Sequence, residues 1–155
     1  MGRLEIKTCP SAVLRKKSRP LEGVGPSEQK LFSDMTVTMR AMQGIGLAAP
    51  QVGISKRAVL VDAGGALLKM VNPVILSKKG RAELEEGCLS VPEKVVNVER
   101  AQEVSISYLD ENGTRYNKTF RGLTARIIQH EIDHLNGKLI IDYLPWYKKV
   151  FKKRG

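Results

Sequence analysis

Two histidines and two cysteines are all that the 155 residues contain. Cys9 and Cys88 allow one disulfide at most, which excludes a disulfide-stapled scaffold. If Cys88 binds a metal there is none, as suits a reducing compartment. No apolar run approaches the roughly 20 residues of a membrane-spanning helix, and the N-terminus lacks the apolar core of a signal peptide. Met1-Gly2 is followed by Ile6 where a myristoylation signal requires serine or threonine. These absences imply a cytoplasmic protein with no membrane partner; a mature organellar protein stripped of its transit peptide would read the same. Repeats and low-complexity segments are also missing.

Acidic residues are scarce. Sixteen Asp and Glu stand against 26 Lys and Arg, for a net charge of +10 and a pI near 9.8. Such a balance favours polyanions and says nothing about fold; it fits a solvated basic surface as well as a ribosome or RNA contact. Lys148, Lys149, Lys152, Lys153 and Arg154 cluster around Trp146, Tyr147, Val150 and Phe151, so residues 148–155 form a basic tail and the expected place of any ribosome contact. With 42% hydrophobic and 27% charged residues the composition is that of a globular protein, and the length suits one domain over 1–155.

The two histidines are four residues apart, in Gln129-His130-Glu131-Ile132-Asp133-His134-Leu135-Asn136-Gly137. On a helix that spacing puts both imidazoles on one face. They can share a divalent metal, with Glu131 in reach of a metal-bound water: the H-E-x-x-H arrangement of metallohydrolases. Leu123, Ile127, Ile128, Ile132 and Leu135 make the segment apolar around much of its circumference, so it reads as a buried helix. Thr124 is the expected N-cap and Gly137 the C-cap. Buried histidines and a buried glutamate are costly unless something satisfies them.

A catalytic site of this kind takes a third protein ligand and keeps one position open. A downstream glutamate is excluded, because none follows Glu131. Ile140 stands where a third histidine of the H-E-x-x-H-x-x-G-x-x-H pattern would be. Asp142 lies in an Ile-Ile-Asp-Tyr-Leu run expected to be an extended edge. Upstream, Glu86-Gly87-Cys88-Leu89-Ser90 offers a thiolate, a strong ligand for zinc or ferrous iron. A free cysteine is as commonly a small buried hydrophobe, and spacing alone leaves both readings of Cys88 open.

The remaining elements are read from periodicity and punctuation. Residues 1–26 are broken by Pro10, Pro20, Gly23, Gly25 and Pro26. A helix follows from Ser27, as N-cap, to Met42, with Leu31, Met35, Met39 and Met42 on a core-facing stripe; Gly44 ends it. The stretch after it forms a loop and a short edge strand. Strands are expected over Ala58–Val61, Leu67–Val71, Pro73–Leu76, Val95–Val98, Val104–Tyr108 and Thr114–Phe120, the last two joined by Asp110-Glu111-Asn112-Gly113 hairpin chemistry. The fold class is therefore α+β: one domain of antiparallel or mixed sheets packed around a buried HExxH helix, with an N-terminal helix.

A third motif, Gly44-Ile45-Gly46-Leu47-Ala48-Ala49-Pro50-Gln51, follows a helix and lacks the spacing of a dinucleotide fingerprint. Together GIGLAAPQ, EGCLS and QHEIDHLNG resemble the three motifs of the peptide deformylase family, in order and at similar separations, over nearly the whole chain. The resemblance implies a hydrolase that removes the formyl group of N-terminal formylmethionine from nascent peptides and releases formate. It implies Cys88, His130 and His134 as ligands of one divalent ion, ferrous iron preferred and zinc, nickel or cobalt able to substitute. It makes Glu131 the proton shuttle, and Gln51 and the Leu89 N–H the oxyanion donors. Gly46 would let substrate backbone pair alongside, and Ile45, Leu84, Leu123 and Ile127 would line the methionine pocket. Arg126, where some members are aliphatic, is expected to lie along the rim with its charge outside; Asp133 has no derivable role. Two other classes compete. A metallopeptidase leaves Gln51 and EGCLS unexplained, and an inactive ribosome- or RNA-binding homologue has no need of the intact constellation.

Overall fold

The computed structural model describes residues 2–145; the basic tail proposed from the sequence lies outside them. Helix α1 spans Pro26–Ala41 and α2 spans Gly122–Leu135. The strands are β1 Gly46–Ala48, β2 Ala58–Val61, β3 Leu68–Lys79, β4 Ala82–Cys88, β5 Val91–Arg100, β6 Glu103–Leu109 and β7 Arg115–Arg121. Five form one sheet in the order β1-β2-β3-β6-β7, while β4 and β5 pair separately. Every named pair is antiparallel; an isolated bridge between Arg19 and Lys56 is the parallel contact. This is the α+β arrangement that the patterning implies.

Strand β2, Ala-Val-Leu-Val, is buried at all four positions, as an unbroken apolar run should be when both faces of a sheet are covered. Val59 and Val61 meet Ala125, Ile127, Ile128, Ile132 and Leu135 of α2 in one core. Ala58 and Leu60 turn the other way, to Leu31, Phe32, Met35 and Met39 of α1 in a second. Full burial of each such side chain contributes on the order of 1.5–3 kcal/mol, so the two helices clamp the sheet that carries β1. Val96 and Val98 of β5 pack on Leu14, Leu139 and Ile140 in a third core.

Several expectations are corrected. Helix α1 starts two residues earlier than an N-cap at Ser27 allows: Gly25 is its N-cap, and its N–H donates to Glu28 Oε1 at 2.8 Å. Met35 and Met39 are fully buried, whereas Met42 is 37% exposed. The strands expected on either side of Asn72 are one strand with a bulge. Asn72 adopts φ +51, and its side chain bonds both backbone groups of Leu21, so Pro73 sits where the ladder has already shifted register. Thr124 is not the N-cap of α2; Arg121 is, without a side-chain cap. The Ile-Ile-Asp-Tyr run is a 3-10 turn, Ile140–Tyr143, not an extended edge. Asp142 accepts from the Leu139 N–H at 3.0 Å and from Arg15 at 2.6 Å, which closes the turn.

Gly137 does end α2 as expected, at φ +75, and a Cβ there would lie 2.5 Å from the Arg15 carbonyl oxygen. Gly137→Ala therefore meets both strain and backbone. It is expected to lower unfolding stability by roughly 1–3 kcal/mol in urea denaturation; an unchanged midpoint would contradict this placement.

Candidate active site

Four segments converge on the two histidines. Helix α2 supplies His130, Glu131 and His134, and the end of β4 supplies Cys88. A 3-10 turn, Ala49–Val52, supplies Gln51, and β1 supplies Gly46. The strand passes just beside the helix, so Cys88 Sγ lies 3.3 Å from His134 Nε2, which is 3.2 Å from His130 Nε2. All three ligand atoms fall within 4.8 Å of one another. Tetrahedral ligands at ordinary metal–nitrogen and metal–sulfur distances stand roughly 3.3–3.6 Å apart, so the donor set fits one divalent ion.

The electrostatics favour a cation at the same point. Burial opposes charge on His130, but hydrogen bonds with Cys88 and Glu86 prevail and raise its pKa to about 10. A divalent ion would take the place of the Nε2 proton, leaving the ring between the same Cys88 and Glu86 partners. Burial drives the His134 imidazole far below its usual value, with His130 and Arg100 adding to the effect, which keeps it in the neutral, ligating form. Glu86 Oε1 lies 2.9 Å from His130 Nδ1; a proton on Nδ1 leaves the Nε2 lone pair free toward Cys88.

Glu131 is 3% exposed, and its Oε1 has no hydrogen-bond partner among the described residues. Burial raises its pKa to about 7, against the attraction of His130 and Arg100. A carboxylate that exchanges its proton near neutrality suits acid–base work. Gly46 makes room for it: a Cβ at that position would collide with Glu131 Oε2 and lie 2.8 Å from Ile127 Cγ2. Gly46→Ala is thus expected to displace the carboxylate and cut kcat/KM by at least about tenfold, with a stability loss of about 1–3 kcal/mol from the Ile127 overlap; wild-type activity would show that the carboxylate position does not matter.

Gln51 is oriented from both ends. Its Oε1 accepts from the Ala48 N–H at 2.9 Å, and Nε2 points to Ser90 Oγ at 3.2 Å and Cys88 Sγ at 3.7 Å. A cavity of about 750 Å³ joins Gln51, Cys88, Leu89, His130 and Glu131 to Ile45, Gly46, Leu84, Leu123 and Ile127. All the residues singled out from the sequence therefore line one cavity, except His134, which stands behind it. Ile45, Leu84 and Leu123 are more than half exposed, at 52%, 55% and 54%, while Ile127 is buried.

A model of the polypeptide deformylase family matches residues 3–150. A peptide deformylase of Nitrosococcus oceani is 44% identical over 152 residues, covering 96% of this chain and 91% of that protein. One of Pelagibacter ubique is 46% identical with the same coverage. The crystal structure of a peptide deformylase from Legionella pneumophila superposes with a TM-score of 0.92 at 42% identity, covering 98% of this chain and 92% of that one. The actinonin complex of the Ehrlichia chaffeensis peptide deformylase superposes with a TM-score of 0.93 at 40% identity, covering 97% and 94%. The chain belongs to the polypeptide deformylase family. As a deformylase it is a metal-dependent hydrolase that removes the formyl group from N-terminal methionine.

What the sequence reading missed in this deformylase is the layer behind the histidines. Glu86, buried, is gripped by Arg100 through Nε at 2.7 Å and a terminal nitrogen at 2.8 Å, and by Arg126 at 2.5 Å. Arg126 is not at the rim with its charge outside. It is 7% exposed, and it also donates to the Val98 and Ala82 carbonyls at 3.0 and 2.6 Å; Glu86 is what draws its charge inward. Asp133 gains a function, accepting from Arg100 at 2.9 Å and from the Tyr143 hydroxyl at 2.6 Å. Nothing local marked Glu86, because the ladder shifts register between it and Cys88 and strand alternation does not carry from one to the other.

Proposed function

We propose that Cys88 Sγ, His130 Nε2 and His134 Nε2 hold one divalent ion, ferrous iron in preference to zinc, nickel or cobalt, and that N-formylmethionyl nascent peptides are hydrolysed beside it. The reading is carried by the mutual approach of these three donors next to the unpartnered, buried Glu131 carboxylate. One thiolate and two neutral imidazoles leave the ion a net positive charge, and when bound it supplies a nucleophile at neutral pH by lowering the pKa of water to about 7.

Glu131 accepts the proton of the attacking water. The Gln51 side-chain amide and the Leu89 backbone N–H donate to the oxyanion that forms when the formyl carbon becomes tetrahedral; each preorganised donor is worth on the order of 3 kcal/mol. Gln51 meets that demand because Ala48 and Ser90 fix its orientation before substrate arrives. The carbon–nitrogen bond then breaks as Glu131 returns its proton to the leaving amine, giving formate and a free methionyl terminus. Strand β1 pairs on one side with β2, and its other edge at Gly46 faces the cavity, where extended substrate backbone can add as a strand. Ile45, Leu84, Leu123 and Ile127 receive the methionine side chain.

The test is formate release from a short formyl-methionyl peptide by protein loaded anaerobically with ferrous iron. Turnover that disappears on chelation and returns with metal is expected; no release from metal-replete protein would overturn the reading. The thiol ligand suits a reducing compartment, which supports a cytoplasmic enzyme or a mature organellar form of it, and catalysis is assigned to a single domain over 1–155. A ribosome contact through 148–155 is a further part of the proposal; unchanged ribosome cosedimentation after its deletion would remove it.

A further inference from the structure

Two cavities share one partition. Beside the 750 Å³ cavity of the active site lies a second, of about 530 Å³, bounded by Gly80, Ala101, Gln102 and the first turn of α2. The residues lining both are Leu84, Leu123 and Arg126. The two leucines are largely exposed and form the outer lips; Arg126 is the buried part of the partition. Its guanidinium is anchored on both strands of the β4–β5 ribbon, through the Ala82 and Val98 carbonyls and the Glu86 carboxylate. Swinging it aside would break three charge-assisted hydrogen bonds in a buried setting, so this wall is stiff in a way that a methionine or leucine there would not be.

We propose that Arg126 sets the depth of the substrate side-chain pocket: the anchored guanidinium closes it at about the length of methionine and keeps the second cavity out of reach. This rests on the reading above, that the pocket beside Ile127 receives the N-terminal side chain. A longer unbranched chain meets a hydrogen-bonded cation that cannot be desolvated cheaply. With that side chain removed, the two cavities become continuous, and each further methylene admitted is worth about fourfold in kcat/KM.

The experiment compares iron-loaded wild type with Arg126→Ala, Arg126→Leu and Arg126→Met. The substrates are three formyl peptides whose first residue is norleucine, 2-aminooctanoic acid or 2-aminodecanoic acid, with unbranched side chains of four, six and eight carbons. The readout is the ratio of kcat/KM for each long chain to that for norleucine, which cancels any general loss from a weakened Glu86 network. Wild type is expected to discriminate against the longer chains. Arg126→Ala should raise the six-carbon ratio at least about tenfold, and Arg126→Leu and Arg126→Met, whose side chains refill part of the partition but are neither anchored nor charged, should fall between it and wild type. If the alanine variant does not fold, the leucine and methionine variants decide against wild type. Ratios that stay parallel to wild type in all folded variants would overturn the role of Arg126 alone. No wild-type turnover of the norleucyl peptide would overturn the reading of the pocket and this proposal with it.

Discussion

Glu131→Gln is expected to lose about 10²–10⁴-fold in kcat while keeping its full complement of metal. Glutamine has the shape of glutamate, so it fits the space that Gly46 leaves and disturbs neither Ile127 nor the three donor atoms. What it cannot do is take a proton from water and hand it to the departing amine. In the wild type the carboxylate is buried, has an oxygen with no partner among the described residues, and titrates near neutrality because burial raises its pKa. Those properties are poor for stability and good for proton transfer. The variant should therefore melt no lower than wild type, since it removes a buried charge. Metal analysis, melting temperature and kcat measured together decide the matter. Turnover within about threefold of wild type would mean that the proton travels by another group.

The parts of the site that were legible in the sequence are those whose chemistry is rare. Two histidines in the whole chain, spaced by one helical turn and separated by Glu131 and two residues, leave few alternatives. The helix that carries them was equally plain, because its apolar residues recur at helical spacing and it does end at Gly137. Strand β2 was plain because an unbroken run of Ala-Val-Leu-Val has both faces to bury. Cys88 was ambiguous by spacing, since its approach to His134 joins segments 46 residues apart in the chain. Residues that act through long-range pairing were invisible for the same reason. Arg100 reads as one of 26 basic side chains and Arg126 as a rim residue with its charge outside, and nothing local says that both converge on Glu86. The Ile140–Tyr143 turn was misread because its apolar residues suggest a strand; the Arg15–Asp142 ion pair that helps to close it spans most of the chain.

Glu86→Ala is the second large effect, expected to cost roughly 3–5 kcal/mol of unfolding free energy. That is a drop of about 10 °C or more in Tm for a chain of this size. The carboxylate accepts from two nitrogens of Arg100 and one of Arg126, and it faces His130 Nδ1. Its loss leaves Arg126 buried with carbonyl acceptors alone, while Arg100 retains Asp133. His130 loses the acceptor that fixes its tautomer, so metal affinity should fall by about 10–100-fold as a separate readout. Acid pH supplies a third. Burial would raise the Glu86 pKa, but hydrogen bonds with His130 and Arg100 override it and hold it at about 2. A folded-state pKa below the unfolded one gives stability that is complete above about pH 4.5 and is lost as the pH falls toward 2. The gap between wild type and Glu86→Ala should therefore narrow through that window and be widest near neutrality. A gap independent of pH would mean that the lost stability comes from a cavity and not from the charge. Unchanged metal affinity would mean that His130 is oriented by its position on α2 without help from Glu86.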